Sequence, residues 1–127
     1  MRSRPDAGLQ RASVNGIELA WDSQGDEAAE AILLIAGLGT QMVRWTSDFC
    51  RALAARGFRV IRFDNRDVGA STHLAEADVP DLVALLAGRP PALPYSLQDM
   101  AADALGLLDH LGIERAHVVG RSMGGVI

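Results

Sequence analysis

Cysteine is almost missing: Cys50 is the only one in 127 residues, which excludes an internal disulfide and fits a reducing compartment. Long apolar runs are missing as well. The most apolar stretch, Ala31 to Leu38, falls far short of the roughly 20 residues that cross a bilayer, so no membrane role is expected. The amino end, Met1-Arg2-Ser3-Arg4-Pro5-Asp6, carries basic residues with no apolar segment behind them and does not read as a secretory signal. The expected location is cytoplasmic. Clustered positive charge is also lacking: the 12 Lys+Arg are scattered among 16 Asp+Glu, without the basic stripe that neutralises phosphates, so nucleic acid is not an expected partner. Internal repeats and low-complexity tracts are absent. What remains, 49% hydrophobic and 22% charged residues with a net charge of -4, is ordinary globular composition and sets one domain as the ceiling.

The pattern of residues supplies an order of elements. Residues 9–23 alternate loosely around Asn15-Gly16, a dipeptide that gives a tight turn its two positive φ angles, and predict an antiparallel hairpin. Ala31 to Ala36 is continuously apolar and runs into Gly37-Leu38-Gly39, as expected of a central strand buried on both faces. Trp45, Phe49 and Leu53 recur every four residues and Gly57 follows, predicting an amphipathic helix over Thr46 to Arg56. Phe58 to Phe63 is the next strand, and Asp64 to Gly69 a polar loop leaving it. Pro80 to Gly88 can form a short helix, after which Arg89 to Pro94 is forced into extended chain. Ser96 and Asp99 form a capping box for a further helix with Leu97, Met100, Ala101, Ala104, Leu105, Leu108 and Leu111 on one face and Gly112 at its end. Ala116 to Gly120 is expected to be a third buried strand.

After residue 30 this alternation builds an α/β fold, a mostly parallel sheet with helices on both faces and an antiparallel hairpin leading in. Ligands in such sheets gather at the carboxyl ends of the strands. Three loops leave those ends: Gly37 to Met42, Asp64 to Ser71 and Gly120 to Gly125. The last contains Gly120-Arg121-Ser122-Met123-Gly124, which fits G-x-S-x-G, a sharp strand-to-helix turn that exposes a serine hydroxyl. The same turn aims the Met123 N–H, at the positive end of the following helix, where charge would develop on a carbonyl oxygen. The Leu38 N–H, in a glycine-flanked loop, is the candidate second donor.

In Gly120-Arg121-Ser122-Met123-Gly124-Gly125, in Asp64-Asn65-Arg66-Asp67-Val68-Gly69-Ala70-Ser71 and in the Asn15-Gly16 hairpin, the chain resembles the α/β-hydrolase superfamily. The Asp67 variant of the second motif and the Pro94 to Ala101 helix start are similar to the aclacinomycin methylesterase-like group. The resemblance covers nearly everything from about residue 10. It implies that Ser122 is a catalytic nucleophile, that the Met123 and Leu38 N–H groups form an oxyanion hole, and that the substrate is a small-molecule ester or related acyl compound, methyl esters foremost, cleaved without a cofactor. Ala36 replaces the His common at the start of the first loop. Arg121 stands where smaller residues are frequent, which leaves open a narrowed pocket or a side chain reaching solvent.

Neighbouring charges invite other readings. Arg66, between Asp64 and Asp67, is expected to tie its own loop together rather than anchor substrate, and the two carboxylates to be solvated rather than to hold a metal. The Leu82 to Leu86 run is expected to pack on the fold, with a pocket roof as the sharper reading. Gly37-x-Gly39 with Asp64 also suggests a dinucleotide fold, but Met42 occupies the third glycine position and the leading hairpin is foreign to it.

A base for the serine is harder to find. In this fold the acid and the His follow the nucleophile in the chain, and only five residues follow Ser122. His117 would lie some 15 Å away along an extended strand at about 3.3 Å per residue, His110 is near the far end of a helix, and His73 is expected to be an exposed loop residue. Residues 1–127 are therefore expected to be part of one hydrolase domain, the amino-terminal half of a protein roughly twice as long, and to be inactive and aggregation-prone alone. The oligomeric state stays open.

Overall fold

The structure is a computed structural model that describes residues 8–37, 39–73 and 95–127. The helix expected over Pro80 to Gly88 and the Leu82 to Leu86 run lie outside the described residues. Five strands form one sheet: β1 (Gln10–Val14), β2 (Ile17–Gln24), β3 (Glu30–Ile35), β4 (Phe58–Phe63) and β5 (Ala116–Gly120), in the order β1-β2-β4-β3-β5. The β1–β2 turn is the expected one, with Asn15 at φ 49 and Gly16 at φ 81, and it sets the Val14↔Ile17 register. β2 then pairs antiparallel with β4, Trp21 opposite Phe63, while β3 pairs parallel with both β4 and β5, so that Leu33 faces Ile61 on one side and Val118 on the other.

Strand periodicity explains why β3 is apolar throughout. Ala31, Leu33 and Ile35 point to one face, where they join Leu19, Trp21, Ile61 and Phe63 beneath Ala104 and Leu107 of helix α2 (Leu97–His110). Ile32 and Leu34 point to the other, with Val60, against Cys50, Leu53 and Trp45 of helix α1 (Ser47–Ala54) and the turn before it. Leu33 and Leu34, neighbours with opposite directions, are both essentially inaccessible. The result is helix on sheet on helix, with β3 an interior strand paired on both sides. Among the described residues no helix is long and apolar enough to cross a membrane.

The helices start as the sequence predicts. Thr46 caps α1 by accepting the Phe49 N–H, and the reciprocal Ser96–Asp99 box caps α2. Their buried faces differ from the expected ones. On α2 the buried residues are Met100, Asp103, Ala104 and Leu107, whereas Leu105 is 63% exposed. A buried aspartate rotates this face, because Asp103 has an ionic partner below the helix. On α1 it is Cys50 that enters the core, while Phe49 stacks on Trp45 with 43% of its surface in solvent. Burial pushes the Cys50 thiol above its ordinary pKa and keeps it protonated.

A buried strand is expected over Ala116 to Gly120 in the fold, but an unpaired edge and an apolar face are expected at the last strand of a partial domain. β5 shows the second: among the described residues it pairs only with β3, and Val118 and Val119 are 58% and 42% exposed. Apolar sequence marks a strand, but burial depends on which elements cover it.

Candidate active site

The carboxyl ends of β3, β4 and β5 lie side by side in the sheet, and their loops meet there. The ladder between β3 and β5 runs on past the last strand residue, since the Arg121 N–H donates to Ile35 O at 3.1 Å. The chain then reverses. Arg121 is still extended, at φ -118 and ψ 129, whereas Ser122 takes φ 56 and opens a 3₁₀ turn over Ser122–Gly125. A non-glycine residue in the left-handed region costs about 1–2 kcal/mol, so the neighbours must hold it there.

Two glycines do so by close approach. A Cβ on Gly124 would sit 2.2 Å from Ile35 O, and one on Gly120 2.3 Å from Gly124 O. Backbone therefore packs directly on backbone beneath the serine, and Gly124 N–H closes the turn on Arg121 O at 2.9 Å. The position of Ser122 is thus set by β3 as much as by β5.

Ser122 is exposed, and its hydroxyl makes no hydrogen bond among the described residues. The Met123 N–H, in the first turn, also has no acceptor among them. Leu38 lies outside the described residues. Its neighbour Gly37 backs onto the serine: a Cβ there would be 3.2 Å from Ser122 Cβ and 3.7 Å from its Oγ. The 37 loop and the 122 turn are therefore in contact.

A cleft of about 350 Å³ opens beside them, lined by Ala36, Gly37, Thr40, Arg44, Trp45, Arg121 and Ser122. Sequence reasoning missed Arg44 and assigned Trp45 to a helix stripe. Their nearness to the Gly37 loop in the chain was the available signal. The short 3₁₀ turn that carries them, Met42–Arg44, is fixed from below. Asp64 accepts the Met42 N–H at 2.7 Å, and the Arg62 guanidinium donates to the carbonyls of Met42 and Trp45 while paired with Asp22 at 2.8 Å.

The Asp64 to Ser71 loop is a brace. Asp64, only 4% exposed, accepts N–H groups from Met42 on one oxygen and Ala70 on the other, so it is not the solvated carboxylate expected but a buried one engaged by its own loops. Ser71 accepts the Ala20 N–H at 2.8 Å and pins the loop to β2. Asn65 donates to Ala36 O at 3.2 Å, anchoring the strand end that leads into Gly37. Arg66 does not tie its own loop together. It forms a two-pronged pair with Asp103 of α2, at 2.7 and 2.8 Å, with the Tyr95 ring 4.9 Å away and Asn15 donating to the same carboxylate. The hydrogen bond to Asp103 is the chief reason its pKa rises above the ordinary arginine value. Burial first, then a hydrogen bond to Asp67, pushes the Tyr95 hydroxyl upward, so it stays protonated.

None of the three histidines lines the cleft. His117 pairs with Glu30 at 3.0 Å on the exposed surface of β5, His73 meets Gly69 O at 2.9 Å, and His110 ends α2. Among the described residues no cluster of three His, Cys, Asp or Glu side chains is placed to hold a metal.

The geometry has counterparts in known proteins. A family model described as the alpha/beta hydrolase fold matches residues 30–127. The rhodomycin D methylesterase of Streptomyces peucetius is 38% identical over 103 residues, covering 81% of this chain and 30% of that enzyme. The crystal structure of an enol-lactonase from Burkholderia xenovorans superposes with a TM-score of 0.71 at 34% identity, covering 92% of this chain and 38% of the lactonase. Epoxide hydrolase A from Mycobacterium thermoresistibile gives 0.73 at 25% identity over 93% of this chain and 32% of its own. The chain thus spans about a third of the length of these proteins.

Proposed function

Because this chain belongs to the alpha/beta hydrolase family, we propose that it carries the nucleophile and the oxyanion hole of a serine hydrolase that cleaves a carboxylic ester through an acyl-enzyme. The observation that carries the reading is the left-handed φ of 56 at Ser122, imposed on a residue that is exposed at the mouth of a cleft. Strain of this kind persists where the surrounding structure over-determines it, and it lifts the hydroxyl clear of the turn.

In the reaction, Ser122 Oγ attacks the ester carbonyl carbon and gives up its proton to a base, while the carbonyl π pair moves onto oxygen. The Met123 N–H and the Leu38 N–H receive that oxyanion. The tetrahedral intermediate collapses with loss of the alcohol, which takes the proton back, and water then releases the acid and restores the serine. The base and its orienting carboxylate are supplied by residues beyond these 127, in the order that the fold family follows. Residues 1–127 are then one part of a longer hydrolase domain, inactive alone. Relatives whose names describe a methylesterase and an enol-lactonase support a small-molecule ester or lactone as substrate. The single, buried thiol of Cys50 supports a reducing, cytoplasmic setting.

The test is covalent labelling. The gene extended to its natural stop is expressed, and the protein and its Ser122→Ala variant are treated with a fluorophosphonate probe. Labelling of the parent and not of the variant is expected. Equal labelling of both, or of neither, removes Ser122 from the role of nucleophile.

A further inference from the structure

We infer that the cleft beside Ser122 selects substrates that carry a negative charge close to the scissile ester, with Arg44 and Arg121 as the partners of that anion. The inference rests on the ester-hydrolase reading above and adds a substrate class to it. A half-ester of a short dicarboxylic acid is the simplest member of the class.

Charge is the first argument. The chain has a net charge of -4, yet among the described residues those lining the cleft include two arginines and no carboxylate. The nearest acid in the adjoining cleft, Asp67, is engaged with Tyr95. Pairing is the second. Arg62 and Arg66 each hold a carboxylate at 2.7 to 2.8 Å, whereas neither the Arg44 nor the Arg121 side chain has an ion pair or hydrogen bond among the described residues. Two unneutralised guanidinium groups around one concavity raise the local concentration of anions and offer a planar donor fork to a carboxylate.

Placement is the third argument. The two arginines stand on different loops, and both loops are fixed in the backbone. Arg44 ends the turn held by Asp64 and Arg62, while Arg121 is tied to β3 through its own N–H, one residue before the serine. Both arginines line the same cleft as Ser122, so an anionic group held there belongs to a substrate whose ester carbonyl also reaches Ser122. The apolar lining, Ala36 and Trp45, covers the short carbon chain that would join the two groups.

The experiment uses the full-length protein and three activated esters: neutral p-nitrophenyl butyrate, mono-p-nitrophenyl succinate with its charge on the acyl side, and the butyrate ester of 4-hydroxybenzoate with its charge on the leaving group. The quantity read is the ratio of kcat/KM for each anionic ester to that of the neutral one, compared across variants so that intrinsic reactivity cancels. At least one ratio is expected to fall about fivefold in Arg44→Gln and again in Arg121→Gln, the scale of a partly exposed ion pair. Arg44→Lys and Arg121→Lys keep most of it, and in the unmutated enzyme the same ratio declines as NaCl rises. Which ester responds assigns the anion to the acyl or the alcohol side. Ratios indifferent to both Gln variants and to salt, with fluorophosphonate labelling of Ser122 intact, overturn the inference and leave the hydrolase reading standing. Absence of labelling overturns both.

Discussion

Two pairs of arginines divide this molecule into a braced region and an open one. Arg62 lies on β4 and Arg66 in the loop after it, and they are 8% and 7% exposed. Each is paired: Arg62 with Asp22 and two carbonyls, Arg66 with both oxygens of Asp103. Hydrogen bonding to those carboxylates raises both pKa values above the ordinary arginine value. Arg44 and Arg121 are exposed at the cleft and have no such partners among the described residues. The same side chain thus does opposite work according to where it is desolvated. Buried and paired, it fixes the loops; exposed and unpaired, it is left for something that arrives from solvent.

The comparison is tested most severely at Asp103. Its side chain and that of Arg66 are 2% and 7% exposed, so removing the carboxylate leaves a cation buried without compensation. Asp103→Ala is expected to cost about 3–5 kcal/mol in urea unfolding. Replacing both partners with apolar side chains, Arg66→Met with Asp103→Leu, should cost less than the single change, because no orphaned charge remains. A cost under about 1 kcal/mol for Asp103→Ala would mean that the brace is an exposed-type pair after all.

Next in size is Gly124→Ala. Its Cβ would meet Ile35 O at 2.2 Å, and that atom is backbone of β3, an interior strand paired on both sides. A loss of about 1–3 kcal/mol is expected, the range for forcing a group into a packed site. Labelling of Ser122 should fall along with it, because the turn must move to make room. Full stability together with full labelling would show that the β3 contact does not hold the serine.

Much of this was legible in the residues, and the reasons are local. The Asn15-Gly16 turn, the Ser96–Asp99 cap and the two-sided burial of β3 follow from rules that act within a few residues. The contact of the 37 loop with the 122 turn follows from parallel pairing of β3 with β5, so the candidate site was legible wherever it lay at strand ends. What failed depended on partners distant in sequence. Arg66 was assigned to its own loop because Asp64 and Asp67 are adjacent, yet its partner is 37 residues away. Asp103 was left out of the expected face of α2 for the same reason. Arg44 carries no motif, and only folding of its turn onto Asp64 brings it to the cleft. Apolar sequence in β5 reports strand character, and its exposed edge follows from the elements that would cover it lying outside the described residues.

Ser122→Gly sharpens the contrast by changing sign. The braced region loses stability when altered, whereas this site should gain it. Glycine relieves the φ of 56 but costs chain entropy, which leaves a net gain of about 0.5–1 kcal/mol while labelling disappears. A net loss in urea unfolding would deny that strain is stored at the turn.

The smallest expected effect is the one that most directly separates the two pairs. Arg44→Gln and Arg121→Gln remove exposed charges with no ionic partner among the described residues, so the fold has nothing to lose from them. Each should alter unfolding free energy by no more than about 0.5 kcal/mol, the range for surface positions away from caps and buried pairs. Arg44→Gln is the sharper of the two, because its turn is held through the backbone by Asp64 and Arg62 and not by its own side chain. Differential urea unfolding of the two variants beside Asp103→Ala resolves the difference. If either loses more than about 1 kcal/mol, that arginine belongs with Arg62 and Arg66 as part of the brace, and the cleft loses its claim to a cation kept free for an incoming anion.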